Sequence, residues 1–450
     1  MSKAEIFFSK SGDISSDNFN PRHYSPIFLA VQKSLKDHIK LESFVTSKIT
    51  SGTTPSAWFF RKKYEDGVPF VKTSAIRRDF ININDLHFIT SNIHGTRNKR
   101  TITRPFNVIF SMTGKFMGKA TLSPPQIKEL NMSQNSVLLK CNSFEESAFL
   151  TIFLNSKINQ LQIKGIYSIT KQKFINQARL SKLKILKYNP LFKNDCNKYY
   201  KNIKLYYDSV IEIQKIIEEF NADMCEPDIF DKKFIYILNR QAIDNQFFLP
   251  QFHRNDFSKI INYHFEKTSI KLRDFDIIKG VEPGSSNYVE KGIPFIKTSD
   301  FQNFEVDLQP DNYCTSELYK NLKQDLKEGD ILFTKDGKIG EVSIVNSFSK
   351  FLISSGIVRL RISNEIDKYW VFLLLSSNYG KILFQKYTVI ASTMAHLHSD
   401  FFNQFFLPVK KDKDLAFIQK LKTAFEKKST AFSNIQLYKY NVQKMLSDIK

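Results

Sequence analysis

The sequence predicts an α/β (α+β) protein with two domains in tandem repeat, connected by long antiparallel coiled-coil helices. Two observations lead to this prediction. Residues 67–76 (GVPFVKTSAI) and residues 292–301 (GIPFIKTSDF) are identical at six positions and exchange valine for isoleucine at two more, and the second copy begins half a chain length after the first. Each half also ends in a long stretch of apolar residues at heptad spacing. We therefore expect two copies of one domain, each followed by a long helix.

The first elements of the two halves match in order. Apolar residues at helical spacing predict a short helix near residues 28–39 and a similar one near residues 257–261. Turn-forming loops at residues 50–56 and 280–286 then lead into the repeated strand. The proline of that strand suits an edge strand or a first strand position, because it cannot donate a hydrogen bond to a ladder.

A second matched pair lies further along each half, at residues 110–115 (FSMTGK) and 333–338 (FTKDGK). In the second half, Asp336 and Gly337 separate the apolar segments 331–333 and 342–345, which is typical of a β-hairpin. Alternating apolar residues over 353–362 predict one further strand. Apolar segments with helical character follow in each half, at residues 149–163 and 370–384.

The heptad stretches predict two helices that pair with each other. The residues expected to form this pairing are Tyr199, Ile203, Tyr206, Val210, Ile213, Ile217, Leu421, Ile435 and Val442. The second stretch is interrupted by Lys428. At about 1.5 Å per residue, such helices are about 33 to 45 Å long and would hold the two domains at a fixed distance. The predicted boundaries are a first domain at 1–195, a central spacer helix at 196–226, a second domain at 227–411 and a C-terminal spacer helix at 412–450.

The charge of the chain favours a polyanionic partner. The formal net charge is +21 and the pI is near 9.5, and each phosphate that a lysine or arginine neutralises releases counterions. A lysine-rich composition without a functional cause is the alternative. The four cysteines are scattered without a C-x-x-C pair, which favours a reducing compartment. No signal peptide or apolar stretch of membrane-spanning length is apparent, so we expect a cytoplasmic protein with no membrane contact.

The chain resembles the specificity subunit of a type I restriction-modification system, a phage-defence enzyme. The resemblance rests on the twofold repeat, on the GVPFVKTS-type strand after a loop rich in glycine and proline, on the run from Gly329 to Gly340 (GDILFTKDGKIG), and on the long helix that closes each half. The first half matches more loosely, because residues 105–107 (PFN) stand where the second half has Gly329 and Asp330.

The resemblance implies how such a chain works. The two domains would be target-recognition domains, each of which reads one half of a split double-stranded DNA sequence, while the helices set the spacer and dock methyltransferase subunits, two per complex. Restriction and translocase subunits would join through the complex. Catalysis would lie in the partners, so the chain itself would be no enzyme and would hold no metal or cofactor; S-adenosylmethionine, ATP and Mg²⁺ are expected on the partner subunits.

The residues expected to contact DNA lie on loops, because loops on a rigid scaffold usually carry recognition. Lysine and arginine suit phosphates and guanine edges, and hydroxyls suit phosphates. The candidates are Lys72, Thr73, Ser74, Arg77, Arg78, Arg97, Lys99, Arg100 and Lys115 in the first half, and Lys297, Thr298, Ser299 and Lys338 in the second. For the hydroxyl residues the alternative is a capping role, and for the basic residues it is a solvated surface.

Two other functions stay open from the sequence. Asp311, Asp325 and Lys327 have the residue types of a metal-dependent nuclease, which would make the chain a stand-alone site-specific enzyme. A basic protein–protein scaffold is the other alternative. Ser123-Pro124-Pro125 resembles the base-gripping loop of adenine methyltransferases, but Gln126 stands where a stacking ring is needed.

Overall fold

A computed structural model describes residues 21–35, 37–61, 67–169, 173–224, 254–264, 269–346, 350–390 and 395–448. The chain divides into two compact units. Unit 1 contains residues 1–208 and 430–450, and unit 2 contains residues 209–429. No helix in the described ranges is both long and apolar enough to cross a membrane.

Unit 1 is built from short strands and mostly short helices. Its strands are β1 (His38–Lys40), β2 (Thr50–Ser51), β3 (Phe60–Arg61), β4 (Gly67–Val71), β5 (His87–Thr90), β6 (Val108–Ser111), β7 (Ala120–Leu122), β8 (Asn131–Met132), β9 (Ser136–Leu139), β10 (Ser168–Ile169), β11 (Lys173–Phe174) and β12 (Lys184–Leu186). Its helices are α1 (Pro26–Ser34), α2 (Leu41–Phe44), α3 (Ser91–Gly95), α4 (Phe144–Leu154), α5 (Lys157–Ile166), α6 (Gln177–Ser181) and the first part of α7 (Lys193–Met224).

Unit 2 has a closely related set of elements. Its strands are β13 (Ile270–Lys271), β14 (Asp276–Lys279), β15 (Tyr288–Val289), β16 (Ile293–Ile296), β17 (Phe301–Gln302), β18 (Glu305–Val306), β19 (Tyr313–Cys314), β20 (Ile331–Thr334), β21 (Val342–Ile344), β22 (Leu352–Ile353), β23 (Ile357–Arg361), β24 (Thr388–Ile390), β25 (Ala395–Leu397) and β26 (Phe406–Leu407). Its helices are α8 (Asn255–His264), α9 (Ser316–Leu322), α10 (Glu365–Ser376), α11 (Asn378–Lys386) and the first part of α12 (Leu415–Asp448).

The sheets of the two units have the same strand order. In unit 1 the orders are β2-β9-β6-β7 and β3-β5-β4-β8, and in unit 2 they are β14-β23-β20-β21 and β15-β19-β16-β22. One apolar cluster in each unit is also built from matching positions, because Val71, Ile109 and Met132 correspond to Ile296, Leu332 and Ile353. The tandem repeat and the α/β fold class predicted from the sequence are therefore confirmed.

The repeated strand is not an edge strand, although its proline occupies an edge-like position. Strand β4 lies between β5 and β8. Pro69 pairs with Phe88 of β5, whereas the pairing with β8 begins only at Phe70. Because the strand has a neighbour on one side only at Pro69, the missing N–H breaks no ladder bond there. Pro294 of β16 repeats this arrangement.

One local prediction is confirmed and two need correction. The hairpin around Gly337 is confirmed, since β20 and β21 pair antiparallel. Residues 353–362, however, form two strands and not one, because a turn that begins at Ser354 ends β22 before β23 begins. Each predicted apolar helix is a pair of helices. The break within each pair lies at a serine, Ser156 or Ser377. The side chain of this serine caps the N-terminus of the second helix, so a new helix begins there.

The two halves differ in sequence at the turn before β6 and β20, but the backbone of this turn is the same in both units. Phe106 has a φ of 66° and Gly329 has a φ of 87°, so both occupy the left-handed region at the same turn. The next residue closes the turn in both units: Asn107 Oδ1 accepts the backbone N–H of Arg104 at 3.0 Å, and Asp330 Oδ2 accepts that of Lys327 at 2.7 Å.

The long helices pair antiparallel within each unit. In unit 1, Asp195 of α7 contacts Asn441 of α12 and Asn202 contacts Asn434, so the residue numbers run in opposite directions. In unit 2, Glu212 forms an ion pair with Lys427, again between α7 and α12. The residues expected at the pairing positions are all buried; they are Tyr199, Ile203, Tyr206, Val210, Ile213, Ile217, Leu421, Ile435 and Val442.

The lysine that interrupts the heptad pattern is part of a buried ion pair. Lys428 Nζ lies 2.5 Å from Glu305 Oε2, and the two side chains are 0% and 7% exposed. Unit 1 has a comparable pair on the same helix, in which Lys439 Nζ lies 2.5 Å from Asp79 Oδ2. Asp79 Oδ1 also accepts the hydroxyl of Tyr199 at 2.9 Å. In each unit, a lysine of α12 therefore attaches the helix to a buried carboxylate of the same unit.

Candidate nucleic-acid interface

Each repeated strand ends in a lysine that is held against an aromatic ring. Lys72 Nζ lies 5.1 Å from the ring centroid of Phe60, and Lys297 Nζ lies 4.7 Å from that of Tyr288. Both lysines are half-buried. The attraction between the ammonium group and the ring favours one position of the charge at the surface of the unit. This arrangement, repeated in both units, suits an anion that both units bind in the same way.

The hydroxyl residues after each lysine lie in a short 3₁₀ turn. Thr73 and Ser74 belong to the turn Thr73–Ala75 and are half-buried, while Thr298 and Ser299 belong to the turn Thr298–Asp300. No hydroxyl caps these turns. In unit 2, Asp300 Oδ2 accepts the backbone N–H of the preceding lysine at 2.8 Å. In unit 2 the capping role that was the alternative for the hydroxyls is thus taken by Asp300, and in unit 1 the residue before the turn, Lys72, makes no side-chain capping bond.

The two adjacent arginines of unit 1 differ in exposure. Arg77 is only 4% exposed, and its guanidinium donates to the backbone carbonyls of Ser74 and Ile76. It also lies 4.9 Å from the ring centroid of Phe116. The structure therefore assigns Arg77 to the support of the turn and gives it almost no surface for a ligand. Arg78 is half-buried and stays a candidate for DNA contact.

A second basic group, Arg97, Lys99 and Arg100, is exposed after helix α3. Asn98, in the middle of this group, is buried and fixes it to the scaffold: Asn98 Nδ2 donates to the carbonyl of Thr53 at 3.2 Å, and the carbonyl of Asn98 accepts Asn131 Nδ2 at 3.1 Å. This anchor was not predicted, because both partners are distant in the chain. The basic group therefore lies beside the loop that follows β2.

The hairpin tips of both units expose a lysine after a glycine. Gly114 and Gly337 have φ values of 68° and 69°, which residues other than glycine rarely adopt. Lys115 and Lys338 follow them and are exposed. Lys338 Nζ lies 2.9 Å from Glu341 Oε1, an exposed ion pair that costs little to open. Both tips can therefore present a lysine to a phosphate backbone.

In unit 2 the hairpin tip and the end of the repeated strand meet at Gly356. A Cβ on Gly356 would lie 2.9 Å from Thr298 Cγ2 and 3.2 Å from Asp336 Cβ, so the glycine permits this close approach. The Asp336 carboxylate contacts His396 Nδ1 and lies 3.3 Å from Lys335 Nζ. This acid–base group at the hairpin tip was not predicted, because His396 reaches it from the distant strand β25.

Unit 1 has the same scaffold at this place with different side chains. Met112 N–H donates to the carbonyl of Asn135 at 2.8 Å, as Lys335 N–H does to that of Gly356. Thr113 bridges to Phe174 in the way that Asp336 bridges to His396. The two units therefore offer chemically different groups on one backbone frame.

Asp325 and Lys327, two of the residues of the nuclease alternative, take part in a surface ion-pair group with Arg361. Asp325 Oδ2 lies 3.0 Å from Arg361 Nη1 and 3.2 Å from Lys327 Nζ. The hydrogen bond from Arg361 holds the pKa of the Asp325 carboxyl below its usual range. In the described ranges, no three side chains of His, Cys, Asp or Glu come together as metal ligands. The turn that contains Asp325 is thus fastened by Arg361.

The loop that resembles a methyltransferase motif packs on helix α7. Gln126 Nε2 donates to the carbonyl of Lys204 at 3.0 Å and to Asp208 Oδ1 at 2.7 Å. Ser123 is buried, and its backbone N–H donates to the carbonyl of Asn107. These contacts give the loop a structural role within unit 1.

Comparisons with known proteins find a family model for part of the chain and similar solved structures over most of it. Residues 266–431 match the family model described as the type I restriction modification DNA specificity domain. The structure is similar to that of the type I restriction-modification S subunit from M. genitalium, at 12% identity and a TM-score of 0.37, over 91% of this chain and 95% of that one. It is also similar to the HsdS subunit from Thermoanaerobacter tengcongensis, at 16% identity and a TM-score of 0.28, over 92% and 95%. No curated protein matches the chain.

Proposed function

We propose that both units are recognition domains of one specificity subunit, because residues 266–431 match the family model of the type I restriction modification DNA specificity domain. The observation that carries this proposal is the strand order that unit 1 shares with the family-matched unit 2. Two units with one scaffold and different loop side chains suit a DNA target made of two different half-sites. A target of this kind is bipartite and asymmetric.

Binding to DNA would use the lysines and arginines that both units expose. Lys72 and Lys297, at matching positions, would contact phosphates, since phosphate contacts carry no sequence information and can be the same in both units. The net charge of +21 supports a strong and salt-dependent electrostatic contribution to the affinity.

The chain would act through partner subunits and would itself carry out no chemistry. Methyltransferase subunits, two per complex, would bring S-adenosylmethionine, and restriction subunits would bring ATP and Mg²⁺. A candidate docking surface lies on α12, where Leu437 and Tyr440 are 51% and 62% exposed and three residues apart, hence on one face of the helix. Exposed apolar groups of this size suit a protein partner.

The test is the methylation pattern of DNA from cells that express this chain with a candidate methyltransferase subunit. We expect modified adenines in a split motif, which disappear when the chain is removed. Exchange of unit 1 for that of a related chain should change one half of the motif only. Cleavage of DNA by the purified chain with a divalent metal, without methylation by any partner, would instead support the nuclease alternative.

The docking surface has its own test. Leu437→Lys combined with Tyr440→Lys should abolish co-purification with the methyltransferase subunit and leave the affinity of the chain for its DNA target unchanged. Leu29→Lys, at a residue of helix α1 that is 42% exposed, is the matched control and should still co-purify. Retention of the partner by the double variant would exclude this surface.

A further inference from the structure

Trp58 is far more exposed than its residue type explains. Its side chain is 86% exposed, whereas the only other tryptophan, Trp370, is 5% exposed and donates its indole N–H to the carbonyl of Pro408 at 2.8 Å. A tryptophan buries a large apolar area when it packs, so leaving it in water forgoes a large stabilisation. An exposed tryptophan on a recognition loop therefore suggests a contact with a ligand.

The backbone beneath Trp58 is fixed. Trp58 is the middle residue of the 3₁₀ turn Ala57–Phe59, and its carbonyl accepts Arg61 Nη1 at 3.0 Å. Phe60 follows in strand β3, where it pairs with Ile89 of β5. An aromatic ring on such a support loses little conformational entropy on binding, as is found for residues that anchor an interface.

The surroundings of Trp58 favour a polyanion. Lys72 Nζ lies 5.1 Å from the ring centroid of Phe60, two residues along the chain from Trp58. Among the described residues 43–61 that flank the turn, Lys48 and Arg61 are charged and none is acidic, while Glu42 precedes this stretch and Glu65 and Asp66 follow it in the sequence. The cations nearest to Trp58, Lys72 among them, suit the phosphate backbone of DNA.

The repeat shows what replaces Trp58 in the other unit. In unit 2 the equivalent turn is Ser285–Asn287, so Ser286 takes the place of Trp58. Tyr288 follows it as Phe60 follows Trp58, and it pairs with Cys314 and lies under Lys297. The frame is the same in both units, and the exposed side chain changes from a large ring to a hydroxyl. A position of this kind can distinguish two half-sites without a change in scaffold.

We propose that Trp58 contacts a base of the half-site that unit 1 binds and sets part of the sequence preference of that half-site. This inference rests on the proposed function. An indole ring can contact the thymine methyl group in the major groove or stack on a base that is unstacked from its neighbour. Ser286 would make a polar contact in the corresponding place of unit 2.

The first test uses the methylation motif that the wild-type chain specifies with its methyltransferase partner. Trp58→Ser should relax or change one position in one half of the motif, and Trp58→Phe should retain it. Ser286→Trp should alter the other half. An unchanged motif in Trp58→Ser would overturn the inference and leave the proposed function intact. Absence of any motif for the wild-type chain would contradict the proposed function itself.

The second test uses the emission of Trp58 in the full chain. In a Trp370→Phe background, Trp58 is the only tryptophan. A duplex with the motif should quench its emission, and a duplex with the unit 1 half-site scrambled should do so less. Trp58→Ser should weaken binding of the first duplex by about 5- to 150-fold, the range of an aromatic contact with a base. Unchanged emission and affinity, or loss of the methyltransferase partner alone, would instead assign Trp58 to another contact.

Discussion

The buried ion pair between Lys428 and Glu305 allows a quantitative test of how α12 is fastened to unit 2. Lys428→Ala would leave the Glu305 carboxylate buried without its counter-charge, which costs about 3–5 kcal/mol of unfolding free energy. For a unit of this size, each kcal/mol shifts the Tm by about 2–4 °C, so we expect a fall of about 6–20 °C. The emission of Trp370, which belongs to the same apolar cluster as Phe425 of α12, reports this unfolding in a Trp58→Phe background.

Replacement of the buried ion pair by two apolar residues should not destabilise unit 2. Burial lowers the pKa of the Lys428 ammonium, and the attraction of Glu305 opposes this only in part. Taking two charges out of water costs free energy that their attraction offsets only in part, so an apolar pair of similar volume should be at least as stable. Lys428→Met together with Glu305→Leu should restore the wild-type Tm or exceed it, whereas either change alone should lower it.

A neighbouring lysine provides the matched control. Lys427 forms an ion pair with Glu212 at 3.3 Å, in which the side chains are 56% and 41% exposed. An exposed pair of this kind contributes less than about 1 kcal/mol, so Lys427→Ala should hardly change the Tm. The reasoning would be refuted by a Lys428→Ala variant as stable as Lys427→Ala, or by a double variant no more stable than its parents.

Three further predictions concern the scaffold and the DNA contacts. Gly280→Ala should lower the Tm in a thermal melt, because the added Cβ would lie 2.0 Å from a backbone oxygen. Gly95→Ala, where the added Cβ meets open space, should leave the Tm unchanged, and equal effects of the two substitutions would contradict this. Asn98→Ala should cost about 0.5–1.5 kcal/mol in denaturant unfolding, because the side-chain hydrogen bond to the Thr53 carbonyl is lost while the Asn98 carbonyl keeps Asn131, and an unchanged midpoint would be evidence against the anchor. Lys72→Ala and Lys297→Ala should each reduce the slope of log affinity against log salt by about 1 without changing the methylated motif, and a changed motif would show that the lysine reads a base.

The elements that the sequence predicts well are those whose signal is local or repeated. The repeated strand at residues 67–71, the hairpin at Gly337 and the long helices all show their period within the segment itself. The repeat adds an internal comparison, and the equal strand orders bear it out. The breaks at Ser156 and Ser377 were missed, because a serine within an apolar segment caps a helix only if the chain turns there.

The interactions that escape the sequence depend on distant partners. In the sequence Lys428 interrupts the heptad pattern, and only the structure shows that Glu305 lies beside it. Arg77 looks like a surface cation, but the turn folds it onto its own carbonyls. The partner of Asp336 is His396, 60 positions away. In each case the residue type is visible and its electrostatic environment is not, because burial and counter-charge are properties of the tertiary fold.

The duplication itself distinguishes the residues that build the scaffold from those that vary on it. Gly114 and Gly337 keep the same left-handed turn, and the lysines after the repeated strands keep their ring contacts. At matching positions, Asp336 replaces Thr113. If both units bind the same phosphate backbone but different bases, retained charges must serve the backbone and exchanged side chains must serve the bases. The residues that read the sequence are therefore best sought where the frame is shared and the side chain is not.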